Sequence, residues 1–595
     1  MSNSLFRTKK IASILAEGSD DSHGGGLKRV LTLKDLTFFG IAAILGAGSF
    51  SSLGGAVFRG GPGVVILFVI TAIACAFTAF CYSEFASRIP VAGSAYTYAY
   101  ASFGELFAWI IGWALIMEYS IGNIYVAYSW SDYFTSFLQK INVHIPEYLC
   151  TSYMEVKHAL TAGSTNAAVQ EAWNTAPLIG GLRIIVDLPA LVINVLITAL
   201  VFRGIKESRN FSNVMVILKM IVVALVILVG GFMVFNNGLT GNWHPVNDIG
   251  VRSFMPNGFS GVMAAVSGVF FAYIGFDAVS VLAEESKNPQ RDLPRGMILS
   301  LVICTVVYIL LTLVLTGAVN YRAFEGVGDP LAFIFEKQNL NIGWMQFFVA
   351  IAAVVAMTSV LLVFQMGQPR IWMSMSRDGL LPPVFQKIHP RYKTPSFATI
   401  ITGVVVGVPI IFTDKTFVLD FTSIATLFAF VLVCGGVLII PKREKEAGKF
   451  HIPFINGQFI FPLLIVVSLA TVFYFNPNYL QNLCTLHLTD AELKIAVAGL
   501  DPLKPAVIQT NIDAASTAKE TLNISTLVFW LLCFAISVLA FVKKYSLIPL
   551  LGLTTCLYLL TGMTARNWTW FAGWLLIGLV VYLLYGYRKS KLAVQ

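Results

Sequence analysis

Long apolar stretches recur along the whole chain and are separated by short polar segments. A helix needs about 20 predominantly apolar residues to cross a membrane, and fourteen stretches meet or approach that length. They lie at 36–58, 63–88, 104–138, 188–203, 212–236, 256–283, 296–319, 344–370, 395–413, 418–440, 458–475, 525–543, 546–563 and 568–586. The pattern predicts an all-α polytopic membrane protein with about 14 transmembrane helices, the fourth of which is short.

Composition agrees with this pattern, since 57% of the residues are hydrophobic and only 12% are charged. The first thirty residues are polar and rich in Gly and Ser, which is typical of a flexible tail without a cleavable signal peptide. Most Lys and Arg residues fall in alternate loops, so the net charge of +9 is explained by basic residues on the cytoplasmic side of the membrane. No nucleic-acid partner is expected. We expect an integral protein of the inner or plasma membrane with both termini in the cytoplasm.

Cysteine and histidine are placed outside any recognisable catalytic pattern. Six of the eight cysteines lie in the predicted helices, where a thiol usually packs as a small apolar residue. Cys150 and Cys484 fall on the exterior and could form a disulfide if they are close. All seven histidines lie outside the spans, and no phosphate-binding loop, nucleophile–base pair or metal-ligand cluster is visible. The sequence therefore predicts neither an enzyme nor a bound metal or cofactor.

Two predicted helices are interrupted in mid-span. The first contains "AILGAGSF" (Ala43 to Phe50) and the sixth contains "VFFAYIGFDAVS" (Val269 to Ser280). Because they stand five helices apart, they run in opposite directions, as in transporters built from two inverted five-helix repeats. The predicted divisions are a cytoplasmic tail (1–30), a first repeat (31–238, with exterior loop 139–187), an inverted second repeat (239–440), and four additional helices (441–595, with exterior loop 476–524).

A broken helix leaves backbone groups that a ligand can satisfy. N–H groups around Gly46, Ala47 and Gly48 could receive a carboxylate at the positive end of a half-helix. Carbonyl groups of Phe271, Ala272 and Ile274 could receive an ammonium group. The two sites together match the ends of an α-amino acid. Small residues also let membrane helices pack closely, which for "GAGS" alone is the better explanation; the second, opposed break favours a binding site.

Three stretches resemble a known family: "LTLKDLTFFGIAAILGAGSF", the segment from "GGPGVVILFVITAIACAFTAF" to "ALIMEYSIG", and "GVFFAYIGFDAVSVLAEESKNPQRDLPRGMILSLVICT". They are similar to the cationic amino acid transporter family of the amino acid, polyamine and organocation superfamily. The resemblance implies a five-plus-five inverted (LeuT-like) fold and alternating access. It also implies that the carbonyl of Ile44 joins the ammonium site. The sequence departs from the family at Ala47, Ser49, Asn123 and Tyr125.

Lys219 is an ionisable residue inside the fifth helix. Burial makes the charged form of lysine costly, so such a group can exchange a proton during function. The resemblance supports this role, because bacterial members thought to be proton-coupled carry lysine here in place of a sodium ion. We expect Lys219 to load and release a proton and to hold the first helix when charged. The alternative is a structural lysine that stays paired to carbonyls or a carboxylate.

Other candidates concern the side chain of the substrate and the helix breaks. Glu118, Tyr125 and Met357 are expected near the substrate's side chain; Met357 would favour small neutral amino acids, whereas Glu118 would favour cationic ones or neutralise a charge elsewhere. Asp277 is expected to accept hydrogen bonds from backbone N–H groups at the sixth-helix break. Tyr273 could close over the substrate or simply pack.

These observations predict a secondary active transporter that moves L-amino acids by proton-coupled symport. Its expected partners are the amino acid, protons and the lipid bilayer. Two alternatives remain: a proton-independent facilitator or exchanger of cationic amino acids or polyamines, and a non-transporting amino acid sensor, against which the short tails argue.

Overall fold

The computed structural model describes most of the chain. The described residues are 5, 7–11, 13–14, 31–46, 48–91, 94–161, 166–203, 209–247, 250–392, 394–440, 449–485 and 505–594.

Nearly all of the regular structure is α-helical. In chain order the elements up to the second break are α1 (Leu33–Ile44), α2 (Leu53–Gly60), α3 (Val64–Arg88), α4 (Ser94–Ser102), α5 (Glu105–Lys140), α6 (Tyr153–Thr161), α7 (Ala167–Thr175), β1 (Leu178–Ile179), β2 (Leu182–Arg183), α8 (Leu188–Arg203), α9 (Arg209–Asn236), α10 (Gly258–Ala264) and α11 (Val266–Phe271). The remaining helices are α12 (Pro289–Ala318), α13 (Pro330–Phe333), α14 (Gly343–Arg377), α15 (Ser396–Phe412), α16 (Lys415–Ile439), α17 (Gly457–Phe475), α18 (Tyr479–Cys484), α19 (Pro505–Lys543), α20 (Leu547–Leu560), α21 (Ala565–Val581), α22 (Tyr587–Lys589) and α23 (Lys591–Val594).

The predicted polytopic helical architecture is confirmed. Within the described residues, 9 segments are long and apolar enough to cross a membrane, and three shorter apolar helices (α8, α15 and α20) accompany them. The first of the nine, Leu33–Arg88, holds two crossings, because Gly61–Gly63 turns the chain between α2 and α3. Adding the segmented stretch from Gly258 to Glu285 gives the fourteen crossings that the hydropathy pattern predicts.

Two polar segments are more ordered than the sequence predicts. The expected exterior loop 476–524 contains regular structure, because residues 505–524 form the first half of the 39-residue helix α19. Hydropathy detects the part of a helix that suits lipid, whereas the Ala and charged residues of this stretch extend it with good helix propensity. The expected loop 139–187 contains α6, α7 and the antiparallel pair β1–β2, packed around Val156, Ala172, Ala176 and Ile185.

The bundle has two ends, named here by what they carry. The hairpin end carries residues 141–161 and 166–187, referred to below as the hairpin unit. The termini end carries both described terminal segments, which meet at Asp378: the ammonium group of Lys9 lies 2.8 Å from its carboxylate, and the N–H of Lys591 donates to its carbonyl at 3.1 Å. Both termini therefore share one side, as an even number of crossings requires.

The last crossing is fastened to α5 at the termini end. The fully buried carboxylate of Glu105 accepts hydrogen bonds from the hydroxyl groups of Tyr100, Tyr582 and Ser590. Further along, the indole N–H groups of Trp113 and Trp574 each donate to the other's backbone carbonyl at 2.9 and 3.1 Å. The C-terminal helix thus completes the hydrogen bonding of the third crossing.

The six cysteines predicted to lie in the core are buried. Cys150 and Cys484 are both free thiols in the structure, so the disulfide considered for them is not formed. Burial raises the pKa of the Cys150 thiol to about 12, whereas Cys484 is exposed at the end of α18. The two thiols therefore differ in reactivity.

Candidate functional site

The first crossing is interrupted where the sequence predicts. Helix α1 ends at Ile44, and the chain restarts as a single π-helical segment, Gly48–Ser52, before α2. Serine hydroxyls satisfy carbonyl groups at the break: Ser49 donates to Gly46 at 3.0 Å, and Ser52 lies 2.7 Å from the carbonyl of Gly48. Ala47 lies outside the described residues.

The sixth crossing is interrupted at the matching depth. Helix α11 ends at Phe271, and a 3₁₀ segment, Asp277–Glu285, follows. Between them the chain makes short turns, in which the N–H of Ile274 donates to the carbonyl of Phe271 at 3.1 Å. Asp277 is buried at the start of this segment, with backbone groups of Gly275 and Ala278 close to its carboxyl group.

The two breaks face each other at van der Waals distance. A Cβ atom built on Gly48 would lie 2.5 Å from the Cα of Ala272, and one built on Gly275 would lie 2.9 Å from the Cβ of Ala43. Gly275 also adopts a φ of +113°, which side-chain-bearing residues rarely adopt. Glycine is therefore required at both positions. The predicted carboxylate and ammonium sites are brought together.

Tyr308 of α12 connects the two breaks and was not predicted from the sequence. Its hydroxyl lies 2.8 Å from the carbonyl oxygen of Ile44 and 2.7 Å from that of Ala272. These are two of the four carbonyl groups expected to receive the substrate's ammonium group. A hydroxyl carries one proton, so it donates to one carbonyl at a time. Tyr308 therefore links the carbonyl groups of the two facing breaks.

Lys219 of α9 contacts the first crossing just before its break. The residue is 1% exposed, and its ammonium group donates to the carbonyl of Ala42 at 3.1 Å. Ala42 lies in the last turn of α1, directly before the break. A buried, ionisable group thus contacts the half-helix that ends at the candidate binding site.

The predicted side-chain subsite is distributed over α5 and α14. The ring of Tyr125 packs edge-on against Phe271, with centroids 4.6 Å apart. Met357 is fully buried on α14, three residues before Val360, whose side chain touches the backbone at Gly46. Residues three apart share a helix face. Met357 therefore faces the region of the first break.

Glu118 lies beside the second break. The buried Glu118 interacts electrostatically with Asp277, and its carboxyl group lies near Thr426 of α16. Glu118 and Asp277 are therefore within electrostatic range of each other beside the second break.

Tyr273 and the Glu84–Arg88 pair each interact with neighbouring groups. The hydroxyl of Tyr273 donates to the carbonyl of Phe68 in α3 at 3.1 Å, and its ring packs against the rings of Phe68 and Tyr308. Glu84 and Arg88 form an i,i+4 ion pair of 2.7 Å. Within the described residues, no group of three or more His, Cys, Asp or Glu side chains is arranged to hold a metal ion.

Comparison with known proteins points in the same direction as this geometry. The model of a family described as "Amino acid permease" matches residues 31–485, and one described as "C-terminus of AA_permease" matches residues 545–590. Together they cover both broken helices and the last crossing.

Curated relatives include transporters of several substrates. The branched-chain amino acid permease of Bacillus subtilis (strain 168) is 39% identical, covering 79% of this chain and 94% of the relative. The methylthioribose transporter of the same organism is 38% identical, covering 80% and 92%. The vacuolar cationic amino acid transporter 2 of Arabidopsis thaliana is 32% identical, covering 99% and 93%.

Proposed function

The chain belongs to the amino acid permease family, and from that premise we propose that it moves L-amino acids across a membrane by proton-coupled symport and alternating access. The observation that carries the proposal is that helix α1 contacts both the candidate substrate site and the ammonium group of Lys219. Its last turn leads into the facing breaks, and the same turn holds the ammonium group of Lys219 at 3.1 Å. Substrate binding and protonation can therefore act on one element.

The substrate would lie between the two breaks. Its carboxylate would accept hydrogen bonds from the backbone at Gly46, Ala47 and Gly48, helped by the positive end of the half-helix that follows. Its ammonium group would take the carbonyl groups of Ile44, Phe271, Ala272 and Ile274. Because the hydroxyl of Tyr308 now bridges Ile44 and Ala272, binding would redirect that hydroxyl to one carbonyl.

The proton would act through Lys219. When charged, the ammonium group donates to the carbonyl of Ala42 and holds α1. Once neutral, it loses the charge-assisted part of that bond, which is the stronger part. The termini-end half of the first crossing would then be free to move. The cycle would thus alternate between a held and a released α1.

The basic residues indicate the orientation. They concentrate in the loops of the termini end, which would face the cytoplasm of an inner or plasma membrane under the positive-inside rule. The hairpin end would face the exterior.

The test is uptake of radiolabelled leucine and arginine into liposomes that contain the purified protein, with and without an inward proton gradient at zero membrane potential. We expect the gradient to stimulate uptake by the wild type and to have no effect on the Lys219→Met variant. Lys337→Met, an exposed lysine at the hairpin end, is the matched control. Unchanged gradient dependence in Lys219→Met would overturn the coupling role.

A second candidate is a proton-independent facilitator of cationic substrates. The position of Glu118 near Asp277 favours it, because one ionised carboxyl group there would be a counter-charge for a cationic side chain. Arginine uptake that ignores the proton gradient would support this candidate. Binding without flux for either amino acid would instead favour a sensor.

A further inference from the structure

An ion pair at the hairpin end joins two crossings above the candidate site. The ammonium group of Lys415, the first residue of α16, contacts the carboxylate of Asp132 in the last third of α5. The side chains are 16% and 29% exposed. The pair is therefore anchored on two helices but still reached by solvent.

Aromatic rings continue from this ion pair to the second break. The ammonium group of Lys415 lies 5.7 Å from the centroid of the Tyr125 ring, within the range of a cation–π interaction. Tyr125 in turn packs against Phe271 at the break, with centroids 4.6 Å apart. Both rings are buried. One line of contacts thus runs from solvent through the ion pair and the rings to the binding region.

The loop at Gly328 and the second half of the first crossing both lie next to the Asp132–Lys415 pair. A Cβ atom on Gly328 would lie 2.6 Å from the carboxylate of Asp132, so the loop backbone is pressed against the ion pair. The hydroxyl of Ser51, in the π-helical turn after the first break, donates to the carbonyl of Gly328 at 3.0 Å. Opening the ion pair would release this loop together with the second half of the first crossing.

The hairpin unit supports the helix that carries Lys415. Asp414 caps α16, accepting from the N–H of Phe417 at 2.8 Å, and its other carboxylate oxygen lies 3.3 Å from Nδ1 of His158 in α6. On the α5 side, the hydroxyl of Tyr128 adds a contact of 2.9 Å to the carbonyl of Thr413. The start of α16 is therefore held by the hairpin unit and by α5, next to the Asp132–Lys415 pair.

We propose that Asp132 and Lys415 form the gate of the binding site at the hairpin end: the pair closes over Tyr125 and Phe271, and it separates when substrate enters or leaves by that end. The proposal rests on the proposed transport function. A partly exposed ion pair is only weakly stabilising, which suits a contact that must break and form again in every cycle.

Thiol labelling from one side of the membrane tests the gate without requiring transport. In whole cells, Cys484 of the wild type first reports which side the hairpin end faces, since it is exposed, whereas Cys150 should react slowly because burial raises its pKa to about 12. If Cys484 does not react in cells, the same measurements are made on inside-out vesicles. The reporter is then Ser51→Cys, placed under the gate in a Cys484→Ser background.

The neutral variants Asp132→Asn and Lys415→Gln should each raise the labelling rate of the Ser51→Cys thiol about fivefold, since losing a weak pair shifts an open–closed equilibrium by roughly that factor. The double variant should be no faster than either single variant, because either change alone breaks the pair. Lys337→Gln, at the same end, should leave the rate unchanged. Rates equal to the parent in both single variants would overturn the gate.

A locking experiment covers the case in which a neutral variant folds poorly. With cysteine at both positions (Asp132→Cys and Lys415→Cys, in Cys484→Ser), cadmium ions should block uptake, and a chelator should restore it; neither single cysteine should respond. Uptake that continues under cadmium would overturn the gate. Absence of uptake by the wild type would instead count against the proposed function, and the labelling rates would still decide whether the pair closes the site.

Discussion

Glycine is used at the facing breaks for space. Gly48 meets the backbone of Ala272 closely enough that a Cβ atom would have to displace it, at 2.5 Å. Gly55, seven residues later on α2, has no neighbour within 4 Å of the same atom and is exposed. The pair therefore separates the effect of crowding at the break from the effect of replacing glycine in a helix.

Gly48→Ala should destabilise the protein by about 1–3 kcal/mol, the usual cost of forcing extra atoms into a packed interior. It should also reduce amino acid uptake strongly, because the two breaks must move apart. Gly55→Ala should be neutral or stabilising by up to about 1 kcal/mol, since alanine is the better helix former. Thermal unfolding in detergent and uptake in liposomes measure both. Equal behaviour of the two variants would contradict the close approach.

The sequence singles out the glycines and Lys219 as candidates, but it does not single out Tyr308. A glycine cluster inside an apolar stretch, or a charge within a span, stands out against its surroundings. A tyrosine in a membrane helix does not, because most such rings are packing residues. Its contact with Ile44 and Ala272 depends on how α12 lies against both breaks, which only the three-dimensional arrangement shows. Ser51 and Ser52 were also missed, because their contacts likewise depend on the three-dimensional arrangement.

The hairpin unit is joined to the bundle through Asp187, the residue before α8. Its carboxylate accepts hydrogen bonds from the hydroxyl of Ser131 at 2.6 Å and from the N–H of Ala190 at 3.0 Å. Burial raises the pKa of this carboxyl to about 8, well above the value of about 3.9 for an unfolded chain. The folded protein therefore holds a proton here that the unfolded chain has released.

The free energy of unfolding contributed by Asp187 should accordingly be largest below pH 4 and decrease as the pH rises towards about 8. Asp187→Asn keeps an oxygen that can accept from Ala190 but removes the titration. Its melting temperature relative to the wild type should therefore rise between pH 5 and pH 8. The exposed Glu325 provides the control: Glu325→Gln should show a constant difference. A constant difference for Asp187→Asn as well would refute the linkage.

A comparison of predicted and observed helix ends shows which boundaries a hydropathy pattern can predict. The spans at 188–203 and 63–88 agree with α8 and with Val64–Arg88 within a residue, since apolar composition and helix end together there. Helix α12 begins at Pro289, seven residues before the predicted start, because a proline at its first turn opens a polar extension of the helix. The hairpin unit was missed because its helices are short and its small core of four buried residues leaves no long apolar period.

The molecule as a whole depends on contacts between its first and last parts. Glu105 is fully buried at the start of α5 and receives two of its hydrogen bonds from the final segment, through Tyr582 and Ser590. Lys9 and Lys591 both contact Asp378. The termini end is thus closed by residues from both ends of the chain.

Ser590→Ala should lower the free energy of unfolding by about 1–3 kcal/mol, because a buried carboxylate loses one of its donors. The exposed neighbour Arg588 supplies the control, and Arg588→Ala should change stability by less than about 0.5 kcal/mol. Both are read as melting temperatures of the detergent-solubilised protein. A Ser590→Ala variant as stable as the control would show that Glu105 does not depend on the final segment.

The distance along the chain between Glu105 and its last partners also sets the order of assembly during synthesis. Helix α5 enters the membrane several hundred residues before Tyr582 and Ser590 leave the ribosome, so until then its buried carboxylate lacks two of its donors. The third crossing must wait, incompletely satisfied, for the fourteenth. A nascent chain that stops early would therefore carry an exposed acidic defect in its third helix, which gives cellular quality control a means to tell a truncated product from a finished one.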